Sequence, residues 1–173
     1  MSFLFLAFGL ICGQDPSHTW SPGGLALPVC QRCTGLYAGA ALAMGLHVAL
    51  RFRPGSIFLW VHGGFLLAMI PLGYHWVPQD AVVRAVSGVL FGAGIVSFLW
   101  LLPGPRAAYS GEANRPRLAL YAVGLAAAVV FVPSAAAQGG LAAWYSLVAL
   151  ASTGVLALAA LTGANAHVLI RRA

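Results

Sequence analysis

Six apolar segments, separated by short polar or Pro- and Gly-containing stretches, make up most of this sequence. Their apolar residues do not alternate with polar ones, a pattern that predicts helices and not the strands of a β-barrel. A helix needs roughly 20 apolar residues to cross a bilayer, and the first segment is short for this. We therefore predict an all-α, polytopic transmembrane bundle of five or six helices. The predicted segments are 1–12, 33–50, 56–77, 81–102, 118–136 and 141–170.

Composition favours a membrane protein and argues against a nucleic-acid-binding one. The chain of 173 residues is 61% hydrophobic and only 7% charged, whereas soluble domains are about 25% charged. The formal net charge is +6, but the arginines that supply it lie singly or in pairs between apolar segments, as topology determinants do. We expect residues 1–173 to form one integral membrane domain in contact with the lipid bilayer, without a nucleic-acid partner.

The arginines also predict an orientation. Three groups of them follow the second, fourth and sixth segments, which end on the same side if the chain runs up and down. Positively charged loops stay in the cytoplasm. Loop 13–33, on the opposite side, is therefore expected to face outward from a bacterial cytoplasmic (inner) membrane. The arginines concerned are Arg51, Arg53, Arg106, Arg115, Arg117, Arg171 and Arg172.

All the cysteines of the chain lie in or beside this outward loop. Cys30 and Cys33 have the Cys-x-x-Cys spacing of a zinc knuckle. Cys12, with His18 or His75, would complete a set of four tetrahedral ligands. An outward loop lies in an oxidising compartment, so a disulfide or a redox pair is a second interpretation. Packing of small apolar residues at a helix start is the third, and the sequence leaves all three open.

Other ionisable residues are expected at the same depth of the membrane. His75 ends the third segment, and Asp80 and Arg84 begin the fourth. An arginine inside a membrane segment needs a partner, so Arg84 is expected to turn toward Asp80, Asp15 or a bound anion. Arg32, inside the Cys-x-x-Cys pair, could lower a thiol pKa. Arg32, Asp80 and Arg84 are predicted to support the cysteine site.

A second group of polar residues lies near the cytoplasmic ends of the segments. His47 and His62 could supply axial ligands to a haem or hold another tetrapyrrole. Histidines at helix ends more often form hydrogen bonds with water or with a backbone carbonyl. Both interpretations stay open.

Small residues recur four positions apart in two of the segments. Gly35 and Gly39 lie in the second segment, and Gly88 and Gly92 lie in the fourth. This spacing lets helix backbones approach closely. Together with the nearly uniform apolar residues of 118–170, these glycines are predicted as a contact surface for other membrane subunits.

The sequence around the cysteine pair resembles the signature of a small prokaryotic membrane-protein family, domain of unknown function 2085. That signature is roughly Cys-His-Gln followed by Pro-x-Cys-x-Arg-Cys-Thr-Gly-x-Tyr-x-Gly. Residues 28–39 match the second part, and residues 12–14 are similar to the first, with Gly13 in place of the histidine. Arg84, Gly88 and Gly92 are similar to later family positions. The resemblance covers about residues 10–94 and implies a polytopic membrane protein of unsettled activity.

The sequence thus predicts a small integral membrane protein with an outward-facing cysteine site, built on a structural metal, zinc by its ligands, or on a disulfide. Its expected role is an accessory subunit or a component that handles metal or thiols. One alternative is a thiol–disulfide redox protein that uses Cys30 and Cys33 with Cys12 as the resolving thiol. Another is a tetrapyrrole-holding subunit of an electron-transfer complex. The sequence has no motif typical of hydrolysis or phosphoryl transfer, so the interpretation leans away from an enzyme.

Overall fold

The computed structural model describes residues 3–51, 55–101 and 115–171. This part of the chain contains six α-helices and no strand. The five helices from α2 to α6 are long and apolar enough to cross a membrane, so the prediction of an all-α polytopic bundle is confirmed. The helices are α1, Phe3–Gly9; α2, Gln31–Leu50; α3, Ser56–Gly73; α4, Ala81–Leu101; α5, Arg115–Gln138; and α6, Leu141–Ile170.

The described part of the first helix, Phe3–Gly9, is too short to cross a membrane. It has 7 residues, which is a length of roughly 10 Å against a hydrocarbon core of about 30 Å. Its Phe8 is buried against Tyr37 of α2, with ring centroids 6.3 Å apart. Residues 10–30, which we call the cysteine loop, then lead from α1 to α2. This arrangement agrees with five spanning helices, the lower of the two predicted numbers.

The largest boundary difference is at the end of α3, which stops at Gly73 rather than at the predicted position 77. His75 has a positive φ of 58°. The His75 N–H donates to Leu72 O at 3.4 Å, and the Trp76 N–H donates to Pro71 O at 3.0 Å. This hydrogen-bond pattern is a Schellman motif, which ends a helix. A glycine usually occupies the position of His75, so this helix end has no recognisable stop signal in the sequence.

Close contact between α2 and α4 depends on four buried glycines. A Cβ atom on any of them would overlap the backbone of the facing helix, so only glycine allows the two backbones to pack this closely. The prediction that they form a surface for other subunits is wrong, because they are enclosed between two helices of the same chain. The residues are Gly35 and Gly39 of α2 and Gly88 and Gly92 of α4.

The helices run up and down and leave two ends with different chemistry. At the cysteine end, where α2, α4 and α6 begin, the Trp144 indole donates to Ala26 O at 3.0 Å and joins α6 to the cysteine loop. At the arginine end, where α3 and α5 begin, Arg117 donates to Leu50 O at 3.2 Å. Arg51, Arg115 and Arg171 also lie at helix ends there, whereas Arg53, Arg106 and Arg172 lie outside the described residues.

Candidate cysteine site

Three thiols come together at the cysteine end. The Sγ atoms of Cys12, Cys30 and Cys33 all lie within 4.8 Å of one another. All the cysteines of the chain are among the described residues, and none of them is in a disulfide. Cys12 is buried, and the other two are partly exposed. A group of three sulfurs at this spacing could hold a metal ion.

The start of α2 positions two of the sulfurs. Cys30 is the N-cap residue, with an extended backbone (φ −69°, ψ 166°). Cys33 follows three residues later, so the two side chains lie on the same face of the first turn. Thr34 fixes this turn, because its N–H and its Oγ1 both donate to Cys30 O, at 2.8 and 3.0 Å. The N-terminus of the helix presents a partial positive charge to any anionic group beside it.

The third sulfur is held in place by Gln14. This residue has a positive φ of 49° and turns the chain just after Cys12. Its side-chain amide donates to Phe5 O at 2.7 Å and to Pro28 O at 2.9 Å, which ties α1 to the end of the cysteine loop. The backbone N–H groups of Gln14 and Cys30 donate to Cys12 Sγ at 3.5 and 3.3 Å. The local fold therefore directs two N–H donors at one sulfur.

The hydrogen bonds around Cys12 change its acidity. Side-chain hydrogen bonds from Cys30 and Cys33 hold the pKa of the Cys12 thiol well below its ordinary value, and the two backbone N–H groups act in the same direction. Burial opposes these effects; its influence is larger than that of either backbone N–H group but smaller than that of the side-chain hydrogen bonds. A thiolate is the form of cysteine that binds metal and attacks disulfides, so Cys12 is suited to either chemistry.

A cavity of about 270 Å³ opens beside the sulfurs. The predicted site residues His18, His75, Arg32 and Arg84 line it together with two of the cysteines. Neither histidine belongs to the group of close metal-binding atoms, which consists of the three sulfurs. The full lining is Gly13, Gln14, Asp15, His18, Cys30, Arg32, Cys33, His75 and Arg84.

The two arginines are held by neutral partners. Arg32 Nη2 donates to Leu72 O at 3.0 Å and to Gln79 Oε1 at 2.6 Å, which joins α2 to the end of α3. Arg32 Nε is buried and has no hydrogen-bond partner among the described residues. Arg84 Nη1 donates to Gln31 Oε1 at 3.2 Å. These contacts fix the guanidinium groups, and no carboxylate of the described residues forms a salt bridge with either of them.

The two carboxylates expected near the site have different positions. Asp15 lies on the cavity, and its Oδ2 is 3.1 Å from His18 Nδ1. Hydrogen bonds from the Ser17 side chain and backbone lower the pKa of Asp15, so this carboxylate is negatively charged at neutral pH. Asp80 lies outside the cavity lining. Its Oδ1 accepts the Val83 N–H at 2.7 Å and caps the first turn of α4.

Three glutamines belong to the site although the sequence did not single them out. Gln14 closes the cysteine loop, while Gln31 and Gln79 hold the two arginines. Gln14 matches the glutamine in the Cys-His-Gln part of the family pattern, and this match could have marked it as a site residue. The roles of Gln31 and Gln79 depend on which helices pair, and a single sequence carries no signal for that.

The second predicted group is part of a buried hydrogen-bonded network. His62 Nδ1 lies 2.9 Å from Phe58 O, so this nitrogen donates, and in a neutral imidazole Nε2 accepts from the Tyr121 hydroxyl at 3.0 Å. Ser97 lies 3.3 Å from the Tyr121 hydroxyl and 3.0 Å from His47 Nε2. Both ring nitrogens of His62 are engaged, so binding a tetrapyrrole through it would replace one of these bonds. The tetrapyrrole site stays a prediction.

Comparisons with known proteins agree with the resemblance found in the sequence. A family model described as "Predicted membrane protein (DUF2085)" matches residues 12–98, half of the chain, which includes all the cysteines and the whole cavity lining. An uncharacterized protein of Methanothermobacter thermautotrophicus is 29% identical over 101 residues, which cover 52% of this chain and 85% of the relative. No solved structure matches the chain. The chain therefore belongs to the family of predicted membrane proteins named domain of unknown function 2085.

Proposed function

We propose that this is a small integral membrane protein in which Cys12, Cys30 and Cys33 hold a zinc ion at the outward end of the bundle. The observation that carries the proposal is the grouping of the three Sγ atoms within 4.8 Å. Tetrahedral zinc with Zn–S bonds of about 2.3 Å separates its sulfur ligands by about 3.8 Å. Small side-chain movements would therefore bring the sulfurs to bonding distance.

The surroundings of the sulfurs support metal binding over simple packing. Cysteines that only fill an apolar core need neither N–H donors nor a polar cavity. Here Cys12 Sγ receives two backbone N–H groups, while Cys30 and Cys33 line a cavity with charged side chains. Donors of this kind orient a metal ligand and stabilise its negative charge.

Zinc at this place would join three parts of the chain. Cys12 follows α1, Cys30 ends the cysteine loop, and Cys33 lies in the central helix α2. The metal would fasten the first two parts to the third, and its binding free energy would add directly to the stability of the fold. The role we propose is structural, in an accessory membrane subunit or in a component that handles metal.

Metal analysis of the purified full-length protein tests this proposal. We expect about one zinc ion per chain, together with thiols that become fully reactive only after denaturation in a chelator. The measurements are elemental analysis and thiol titration on the same sample. A protein that contains no zinc, and that cannot be loaded with zinc after reduction, would contradict the proposal.

Thiol–disulfide exchange is the second candidate function, favoured by the mutual approach of the three sulfurs. Cys12 as a thiolate could attack a disulfide between Cys30 and Cys33, forming a new disulfide and releasing the other sulfur as a thiolate. The same titration separates the two functions. Zinc-bound cysteines give three thiols per chain without reductant, whereas a redox pair gives one thiol before reduction and three afterwards.

The proposed orientation places the arginine end in the cytoplasm of a bacterial inner membrane, on the basis of the charge bias. A thiol reagent that cannot cross the membrane should then label Cys30 and Cys33 in intact cells after chelation and reduction, because both are partly exposed. The control is a cysteine-free variant with Ser56→Cys, an exposed position at the arginine end. It should be labelled only in broken cells, and the reverse pattern would invert the orientation.

A further inference from the structure

We propose that the fourth ligand of the metal is a small anion from outside the chain, bound in the cavity between the sulfurs and the two arginines. This inference rests on the proposed zinc site. Zinc in proteins takes four ligands, and the chain groups three sulfurs. Cys30 and Cys33 line the cavity, whereas His18 and His75 line it without joining the sulfur group. A fourth ligand would therefore approach the metal from this cavity.

An unsatisfied donor on a residue that lines the cavity points to a bound molecule. Arg32 Nε is buried without a hydrogen-bond partner among the described residues, although Nη2 of the same guanidinium has two partners. A buried donor without a partner is costly, and native structures rarely leave one. The guanidinium cannot easily turn away, because Leu72 and Gln79 fix it. A molecule in the cavity would supply the missing acceptor.

The charges around the cavity favour an anion over water. A divalent ion with three thiolates has a net charge of minus one, and a bound monoanion makes it minus two. Arg32 and Arg84 together supply a charge of plus two and have neutral hydrogen-bond partners. Asp15, which also lines the cavity, contacts His18, and no salt bridge joins a carboxylate of the described residues to either arginine. A monoanion on the metal would give the two guanidinium groups an opposite charge to pair with, as desolvated charges at a membrane surface require.

The ligand class follows from the donors and the space. A guanidinium favours carboxylates and similar anions, to which it donates charge-assisted hydrogen bonds. A cavity of about 270 Å³ admits an anion of several non-hydrogen atoms. We therefore infer a small metal-ligating monoanion, such as a carboxylate or a thiolate, held between the metal and the two arginines.

Cobalt substitution with azide as the probe anion tests this inference. In the purified full-length protein, cobalt(II) bound by thiolates gives charge-transfer bands, and its d–d bands report the coordination geometry. We expect azide to change the d–d bands in a saturable way. Arg84→Gln should weaken the apparent azide affinity by about tenfold or more, because a charge-assisted interaction is lost. Arg32→Lys, which keeps the charge but removes Nε, should also weaken it.

The controls separate failure of this inference from failure of the zinc proposal. Arg115→Gln, at an exposed position at the arginine end, should leave azide binding unchanged. Absence of thiolate-to-cobalt bands in the wild-type protein would overturn the zinc site itself. Normal bands that do not respond to azide, or that respond equally in the wild type and both cavity variants, would overturn only the anion. A loss of tetrahedral d–d bands without azide in His18→Ala or His75→Ala would identify a histidine as the fourth ligand and also overturn it.

Discussion

Replacing Cys12 with serine should reduce the zinc content from about one ion per chain to less than about a tenth, because a hydroxyl is a poor zinc ligand beside thiolates. The apparent Tm should fall by roughly 10 °C, since a ligand present at about a thousand times its Kd contributes about 4 kcal/mol to the folded state. Cys12→Ser keeps a side-chain acceptor for the two N–H groups that meet the sulfur. The substitution therefore tests metal binding more than local packing.

Chelation provides the matched control for Cys12→Ser. A chelator should lower the Tm of the wild-type protein to about that of the variant, and it should leave the Tm of the variant unchanged, because the two treatments remove the same interaction. Elemental analysis and thermal unfolding in one detergent measure both effects. If Cys12→Ser keeps stoichiometric zinc, Cys12 is not a ligand. If the chelator lowers the Tm of both proteins equally, the stabilising metal is bound elsewhere.

The sequence predicted the helices well because the bilayer imposes a simple physical condition on them. A spanning segment must be apolar over a length set by the membrane, and α6 follows its apolar run from Leu141 to Ile170 without a difference. The up-and-down path then brought the cysteine loop, the end of α3 and the start of α4 to one end. Neither step requires knowledge of side-chain packing. The gathering of His75 and Arg84 beside the cysteines could therefore be predicted.

The roles of individual polar residues depend on local geometry that periodicity does not report. Asp80 was expected to support the cysteine site, but it caps α4. That role could be predicted from the sequence, because aspartate just before an apolar run is a helix N-cap signal. The hydrogen-bond partners of Arg32 and Arg84 could not be predicted from the sequence. Arg32 donates to Gln79 between α3 and α4, and Arg84 donates to Gln31 of α2. The choice of these neutral partners depends on distances that are set only when the helices pack.

The spacing of the glycines also does not identify which helix they contact. Residues four positions apart indicate that a helix backbone will be approached closely, but the spacing is the same for a partner helix in the chain and for one in another subunit. The apolar residues of 118–170 stay predicted as a surface for other subunits. Buried positions along α5 and α6, such as Tyr121 and Gly154, already face the chain's own core. Such a surface would have to use the exposed residues between them.

Replacing Gly39 with alanine should destabilise the bundle by about 1–3 kcal/mol, because a single added carbon overpacks the contact between α2 and α4. A Cβ atom at this position would lie 2.7 Å from Val89 Cα and would also overlap the Val89 carbonyl group. These are backbone atoms, so no side chain can turn away to make room. The two helices would have to separate. Denaturant or thermal unfolding in detergent, followed by circular dichroism, measures the effect.

Gly45 offers a matched control in the same helix. It is exposed, and a Cβ atom there would meet nothing within 4 Å. Gly45→Ala should be neutral or slightly stabilising, since alanine is favoured over glycine in a helix by about 1 kcal/mol. If Gly39→Ala lowers the free energy of unfolding and Gly45→Ala, six positions away, does not, the destabilisation comes from the contact of Gly39 with α4. Equal effects of the two substitutions would show that helix propensity governs both, and that the packing of α2 against α4 does not require glycine.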